Sequence, residues 1–169
     1  MLTKKQMGRL NDHVAEEASA SRFYLSISCW AISQGLDGVG QFFRNHHEME
    51  EEHMHKLMGY ILETGGKVVV GEVEAPPQEF KSISDALELS LERETQVSKM
   101  INETVDSFLE EKDYSTFNFL QWYVAEQHEE EHLFRNLIEK SKMIGEDGRG
   151  KFWLDKELAK ATTASPGKS

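Results

Sequence analysis

From residue 3 to about residue 34, apolar and small side chains recur at helical spacing, with Leu10, Val14, Ser21, Tyr24 and Ser28 on one stripe. "TKKQ" opens this segment as a capping box. A second stripe, Phe43, His46, Glu50, His53, Leu57 and Tyr60, predicts a helix over 37–64, entered after Gly35 and closed by Gly65 and Gly66, which accept the positive φ of a helix end. The link between the two is short, so they pack as antiparallel neighbours. Ser82 or Ser84 begins a third helix that runs to about residue 110. After "EKDYS" a fourth runs to about residue 142 and stops at Gly145. A short amphipathic segment at 152–160 predicts a fifth helix.

Between helices two and three, "GGKVVVGEVEAPPQEFKS" (65–82) breaks the helical pattern with glycines, two prolines and β-branched valines, and reads as an extended connector. A helix of about 27 residues is about 40 Å long, whereas roughly 17 extended residues reach about 55 Å. The connector can therefore run the length of a bundle, which makes helices two and three parallel and flanks them with two antiparallel hairpins. The predicted fold is all-α: a four-helix bundle with one long crossover and a short fifth helix. Residues 1–145 form the bundle, 146–161 carry the C-terminal helix of the same domain, and 162–169 are a polar tail.

A shift of 77 positions relates the two hairpins. It carries the second-helix stripe onto Leu120, Tyr123, Gln127, Glu130, Phe134 and Leu137, and Glu17 onto Glu94. Glu94 interrupts an apolar stripe between Leu87, Leu91 and Ile101, Val105, Phe108. Each hairpin thus offers one glutamate from its first helix and an i, i+3 polar pair from its second: Glu50 with His53, and Gln127 with Glu130. Residues three apart share a helix face, so the groups converge when the apolar stripes turn inward. That is the layout of a carboxylate-bridged dinuclear metal site. Four buried carboxylates would protonate without compensation. Ionised, Glu17, Glu50, Glu94 and Glu130 carry four negative charges, which two divalent cations balance, and the neutral Gln127 keeps that balance. Oxygen-rich ligation with one imidazole suits iron or manganese, and iron with dioxygen is the leading expectation.

Composition narrows the partners. A formal charge of −11 and a pI near 5.1 argue against nucleic acid, with its need for a basic patch, and favour cations. One cysteine, Cys29, excludes an internal disulfide and cysteine-rich metal sites, and fits a reducing, cytoplasmic setting. No apolar run suggests a signal peptide or a membrane span, so the chain reads as mature and soluble. Glu48, Glu51 and Glu52 fall off the inward stripe and read as surface groups. His13, His47, His55, His128 and His132 read as surface or interhelix residues. Tyr24 is either packing with its hydroxyl on a ligand or a redox neighbour of the site. Trp122 reads as core or interface, and Cys29 as a small buried hydrophobe.

"STFNFLQWYVAEQHEEEHLF" (115–134), "FFRNHHEMEEEHM" and the Glu17–Tyr24 pair resemble the bacterial non-haem ferritins over nearly the whole chain. The resemblance implies a ferritin-like bundle, a homo-oligomeric shell of twenty-four subunits, and Fe(II) oxidation by dioxygen or peroxide with storage of the ferric mineral. It implies one iron on Glu17, Glu50 and His53 and the other on Glu50, Glu94 and Glu130, with Glu50 bridging, Gln127 beside the oxidant, and Tyr24 as hydrogen-bonding or redox neighbour. A third iron position of that family is represented by Glu126 and Glu129, with Glu130 shared, but Met49 stands at its second-helix place. A thioether is a poor partner for hard iron, so that position is expected to be weakened or lost. Haem-containing bacterioferritins place a second Glu-x-x-His and a methionine where this chain has Gln127, Glu130 and Glu51, so haem is not expected. Two other readings stay open: a soluble di-iron oxidase or oxygenase without a shell, and a mineral-nucleating subunit without a working centre.

Overall fold

Thr3 starts the first element. Its hydroxyl accepts from the Gln6 amide at 3.2 Å while the Gln6 side chain accepts from the Thr3 amide at 2.8 Å, which satisfies two donors that a helix start leaves unpaired. In the computed structural model, which describes residues 2–164, α1 follows as Lys4–Ser33. Gly35, at φ 74°, turns the chain into α2, Asp37–Glu63. The two helices approach closely at Gly40, where an added Cβ would lie 2.5 Å from the Ile32 side chain. Ser28 Oγ donates to the Gly40 carbonyl there at 2.8 Å.

The connector that follows reveals its direction through its partners on α1. Near its start, the Asn11 side chain donates to the Lys67 carbonyl at 3.0 Å and accepts from the Val69 amide at 2.7 Å. Further on, Ser26 Oγ donates to the Pro77 carbonyl, and the Phe80 ring lies 6.2 Å from Phe23 and 5.4 Å from Trp30. The chain thus travels back along α1, and α3, Ile83–Glu110, begins at the bundle end where α2 began. Helices α2 and α3 are therefore parallel, as the connector length predicts. Asp113 accepts from the Thr116 amide at 3.1 Å and starts α4, Tyr114–Ile144, slightly earlier than the residue pattern suggests. Beyond α4, the Glu146 carboxylate accepts from the Ile83 and Ser84 amides at 3.0 and 2.7 Å and so caps α3.

The fifth helix, α5, spans Gly148–Ala164 and is longer than the expected 152–160. Within its first turn Gly150 serves a close approach: an added Cβ would lie 2.2 Å from the Gly145 carbonyl oxygen. Residues 162–164, expected in the polar tail, belong to this helix, and 165–169 of that tail lie outside the described residues. Helix α5 docks on the start of α2, burying Leu154 and Leu158 completely. There Asp155 Oδ1 accepts from the Val39 amide at 2.9 Å, and a Cβ on Gly38 would meet the Asp155 carbonyl oxygen at 2.1 Å. Asp155→Ala is expected to cost about 1 kcal/mol, as lost caps do. Gly38→Ala should cost about 1–3 kcal/mol through overpacking, with urea unfolding of both variants as the check.

The core divides into two apolar clusters. One holds Phe23, Tyr24, Ile27, Phe42, Phe43, Leu87 and Phe134 among others. The second is built from Leu10, Val14, Leu57, Ile61, Val97, Ile101, Leu120 and Tyr123 with neighbours. On each of the four long helices the apolar run breaks between the clusters, and the buried residues in the gap are polar: Glu17 on α1, His46, Glu50 and His53 on α2, Ser90 and Glu94 on α3, Gln127 and Glu130 on α4. Among the described residues, no helix is long and apolar enough to cross a membrane.

Candidate metal centre

The polar layer is where the inward stripes of both hairpins cross mid-bundle. Glu17, Glu50 and His53 each offer a ligand atom, and these atoms all lie within 4.8 Å of one another. His53 Nδ1 is 3.1 Å from Glu50 Oε2, the i, i+3 geometry that the sequence spacing implies. Tyr123 holds this stretch of α2 in place by donating its hydroxyl to the His53 carbonyl at 2.8 Å.

Glu94 and Glu130 enter the same layer from α3 and α4 but are engaged by other partners. The Tyr24 hydroxyl donates to Glu94 Oε1, and Gln127 Nε2 donates to Glu94 Oε2 at 2.8 Å and to its carbonyl at 3.1 Å. Glu130 Oε2 lies 3.2 Å from His46 Nε2. The other ring nitrogen of His46 is 3.0 Å from the Phe42 carbonyl, which can only accept, so Nδ1 carries a proton. His46 was on the predicted inward stripe but had no assigned role, because its partner lies on another helix, 84 residues away.

Burial dominates the electrostatics. It pushes the Glu17 carboxyl up to about 7. Glu50 rises to about 8 by burial and then by the Glu17 charge. Glu94 rises to about 8 by burial and the charges of Glu50 and Glu130. Burial alone would depress both histidines, but Glu130 lifts His46 to about 9 and Glu50 lifts His53 to about 9. For Glu130, burial acts upward, yet the neighbouring His46 charge outweighs it and holds the carboxyl below its ordinary value. Burial and the surrounding carboxylates raise the Tyr24 hydroxyl well above its ordinary range, so it is a neutral donor. The layer can thus be neutralised by protons or by cations. Carboxylate oxygens with one imidazole are a donor set suited to iron or manganese.

Other predicted positions fall as follows. Glu48, Glu51 and Glu52 are exposed, in line with their place off the stripe, and so are His55, His128 and His132. His47 is half-buried, with Nδ1 2.7 Å from Ser21 Oγ. Glu129 is exposed, while Glu126 and Met49 are half-buried; burial raises the Glu126 carboxyl. Trp122 is half-buried, its ring edge-on to His53 at 5.1 Å, with the Lys56 ammonium 4.0 Å above it. One expectation fails. Cys29 is exposed, because its α1 position faces away from both clusters. His13 is fully buried, because it stands one turn before Glu17 on the inward face, with Nε2 2.8 Å from Glu17 Oε1. Burial drives its pKa down to about 4, so its ring is neutral. That i, i+4 spacing was the available signal.

Residues 7–144 match the family described as Ferritin, ferritin-like domain. A bacterial non-haem ferritin of Campylobacter jejuni is 46% identical over 158 residues, covering 94% of this chain and 95% of that protein. A probable bacterial non-haem ferritin-like protein of Haemophilus influenzae is 44% identical over 163 residues, covering 96% and 99%. Among solved structures, an open-pore ferritin of the archaeon Archaeoglobus fulgidus superposes with a TM-score of 0.91 at 40% identity, covering 94% of this chain and 98% of that one.

Proposed function

The chain belongs to the ferritin-like family, among the bacterial non-haem ferritins, and from that premise we propose that it is an iron-storage subunit that oxidises Fe(II) at a dinuclear centre inside its own bundle. The single observation that carries this reading is the buried polar layer itself, in which each of four helices contributes a carboxylate between two apolar clusters. Such a layer costs stability in a core unless cations or protons neutralise it.

In this reading Fe(II) is the substrate. Glu17, Glu50 and His53 hold one ion and Glu50, Glu94 and Glu130 the other, with Glu50 shared. The first trio already converges. Both Glu94 oxygens are engaged, so Glu94 exchanges Tyr24 or Gln127 for a cation, whereas Glu130 can bind through Oε1 while Oε2 stays beside His46. Ligation needs ionised carboxylates and a neutral imidazole, so loading releases the protons that burial holds on Glu17, Glu50 and Glu94 and one from His53. Two ions held side by side offer dioxygen or peroxide two electrons at one place. The partner that remains, Gln127 or Tyr24, keeps Glu94 oriented through the exchange by donating a hydrogen bond. A third ion near Glu126 and Glu129 is weakly held, because Met49 supplies a thioether where a hard oxygen is needed.

We place the subunit in a homo-oligomeric shell of twenty-four copies in the cytoplasm, with no haem, nucleic-acid or membrane partner. Exposed apolar side chains on the connector (Val69, Val70) and on α5 (Phe152, Trp153) support burial against further copies. Anaerobic Fe(II) titration followed by air, with sedimentation of the same sample, tests the reading. The expected result is two rapidly oxidised ions per chain in a large particle that goes on to accumulate iron. A small particle with fast oxidation would instead favour a di-iron oxidase without a shell, and a large particle without fast oxidation a mineral-nucleating subunit.

A further inference from the structure

Helix α1 turns Leu10, His13, Val14 and Glu17 into the core. Leu10 and Val14 belong to the apolar cluster below the polar layer, and His13 sits between them with no exposed surface. A buried imidazole costs stability unless it is hydrogen-bonded, so a residue that only filled this space would be apolar. His13 makes one such bond, from Nε2 to Glu17 Oε1 at 2.8 Å, while its buried Nδ1 has no hydrogen-bond partner among the described residues. Once Glu17 is ionised, as cation ligation requires, its oxygens can only accept, so the ring proton lies on Nε2 and Nδ1 is a bare acceptor. The ring is fixed in this pose by the Tyr123 ring, edge-on at 4.9 Å, which is itself anchored through its hydroxyl to the His53 carbonyl at 2.8 Å.

We propose that His13 is a positioning residue for Glu17: its Nε2–H occupies Oε1, so that the carboxylate presents Oε2 alone and holds its cation through one oxygen. The inference rests on the reading of Glu17 as a ligand. Partners behind a ligand set its orientation and basicity, and losing one typically weakens metal binding about 10- to 100-fold. A hydrogen bond on Oε1 draws on that oxygen's electron density and would favour binding of a cation through Oε2 alone over bidentate closure.

The test compares His13→Leu and His13→Met, which lack a donor, with His13→Gln, whose side-chain N–H can replace the imidazole donor. Each intact, assembled protein is stripped of metal and titrated anaerobically with Co(II), whose visible absorption reports both affinity and coordination number. The expected result is weaker binding of one of two cobalt ions in the donorless variants by about 10- to 100-fold, with lower absorption per bound ion as Glu17 becomes bidentate and the coordination number rises. His13→Gln should restore both affinity and absorption. If either donorless variant fails to fold, the other completes the comparison, and His13→Gln alone must still match the parent protein. Donorless variants that titrate like the parent, or a glutamine variant as impaired as they are, would overturn the proposal. Its failure is distinct from failure of the dinuclear reading, which appears as no bundle-bound cobalt in the parent or as unchanged titration in Glu50→Ala.

Discussion

Glu50→Ala is expected to slow initial Fe(II) oxidation at least about 100-fold while the subunits still fold and assemble. Glu50 is the one carboxylate that both proposed cation positions share, so its loss strips each position at once, a larger defect than the 10- to 100-fold typical of an outer-shell partner. His53 also loses the carboxylate that sits 3.1 Å from its Nδ1. Folding is spared because alanine is the best helix former and the removed group is a carboxyl that burial already disfavours. Stopped-flow mixing of the apo-protein with Fe(II) in air reads the rate, and sedimentation reads assembly. An unchanged initial rate in an assembled variant would contradict the shared role.

The second large effect concerns pH. The metal-free protein should lose stability as pH rises from about 6.5 to 9, and a divalent cation should remove most of that loss. Glu17, Glu50 and Glu94 have folded values of about 7, 8 and 8 against ordinary values of 4.5. Their contribution is complete below 4.5 and disappears as pH rises through 7 and 8. His46 and His53, lifted from 6.5 to about 9, contribute fully below 6.5 and lose that contribution as pH passes 9. His13 and Glu130 run the opposite way, since their folded values are lowered, but both effects lie below about 6.5. In the window above it every shift has one sign: the folded state binds more protons than the unfolded, so stability falls with pH. Mutual coupling limits the sum to the order of 3 kcal/mol, which for a chain of this size is about 10 °C in Tm. Calorimetric scans of metal-free protein across the window, with and without Zn(II), test this. A flat profile without metal would contradict a layer held together by protons.

The bundle was legible because its information is local and periodic. The stripe on α2 and its image 77 residues later place polar groups at one depth, and the extended segment from Gly65 needs only its length to define a crossover. The meeting of Glu50 with His53 follows from the same periodicity, since the two are one helical turn apart. Features that depend on distant partners were not legible. His46 looks like one more member of a stripe until the fold brings Glu130 to it. Glu146 and Asp155 cap α3 and α2 from across the molecule, and no local motif marks either. The first turn of α5 lies outside the amphipathic pattern that marks 152–160, because Gly150 serves close approach to Gly145 and carries no side chain to bury. His13 is an interhelix residue, one of the two places its sequence position allows, but its bond to Glu17 is not legible, because a histidine at i, i+4 is equally compatible with a solvated face.

Acids from both hairpins meet mid-bundle, where we propose that they hold a pair of cations. Anomalous diffraction from crystals soaked anaerobically in Fe(II) tests it most directly. Two iron peaks per chain, one beside Glu17 and His53, the other beside Glu94 and Glu130, with Glu50 between them, are the predicted result. Iron confined to surface carboxylates, with the layer between the two apolar clusters free of anomalous signal, would contradict it.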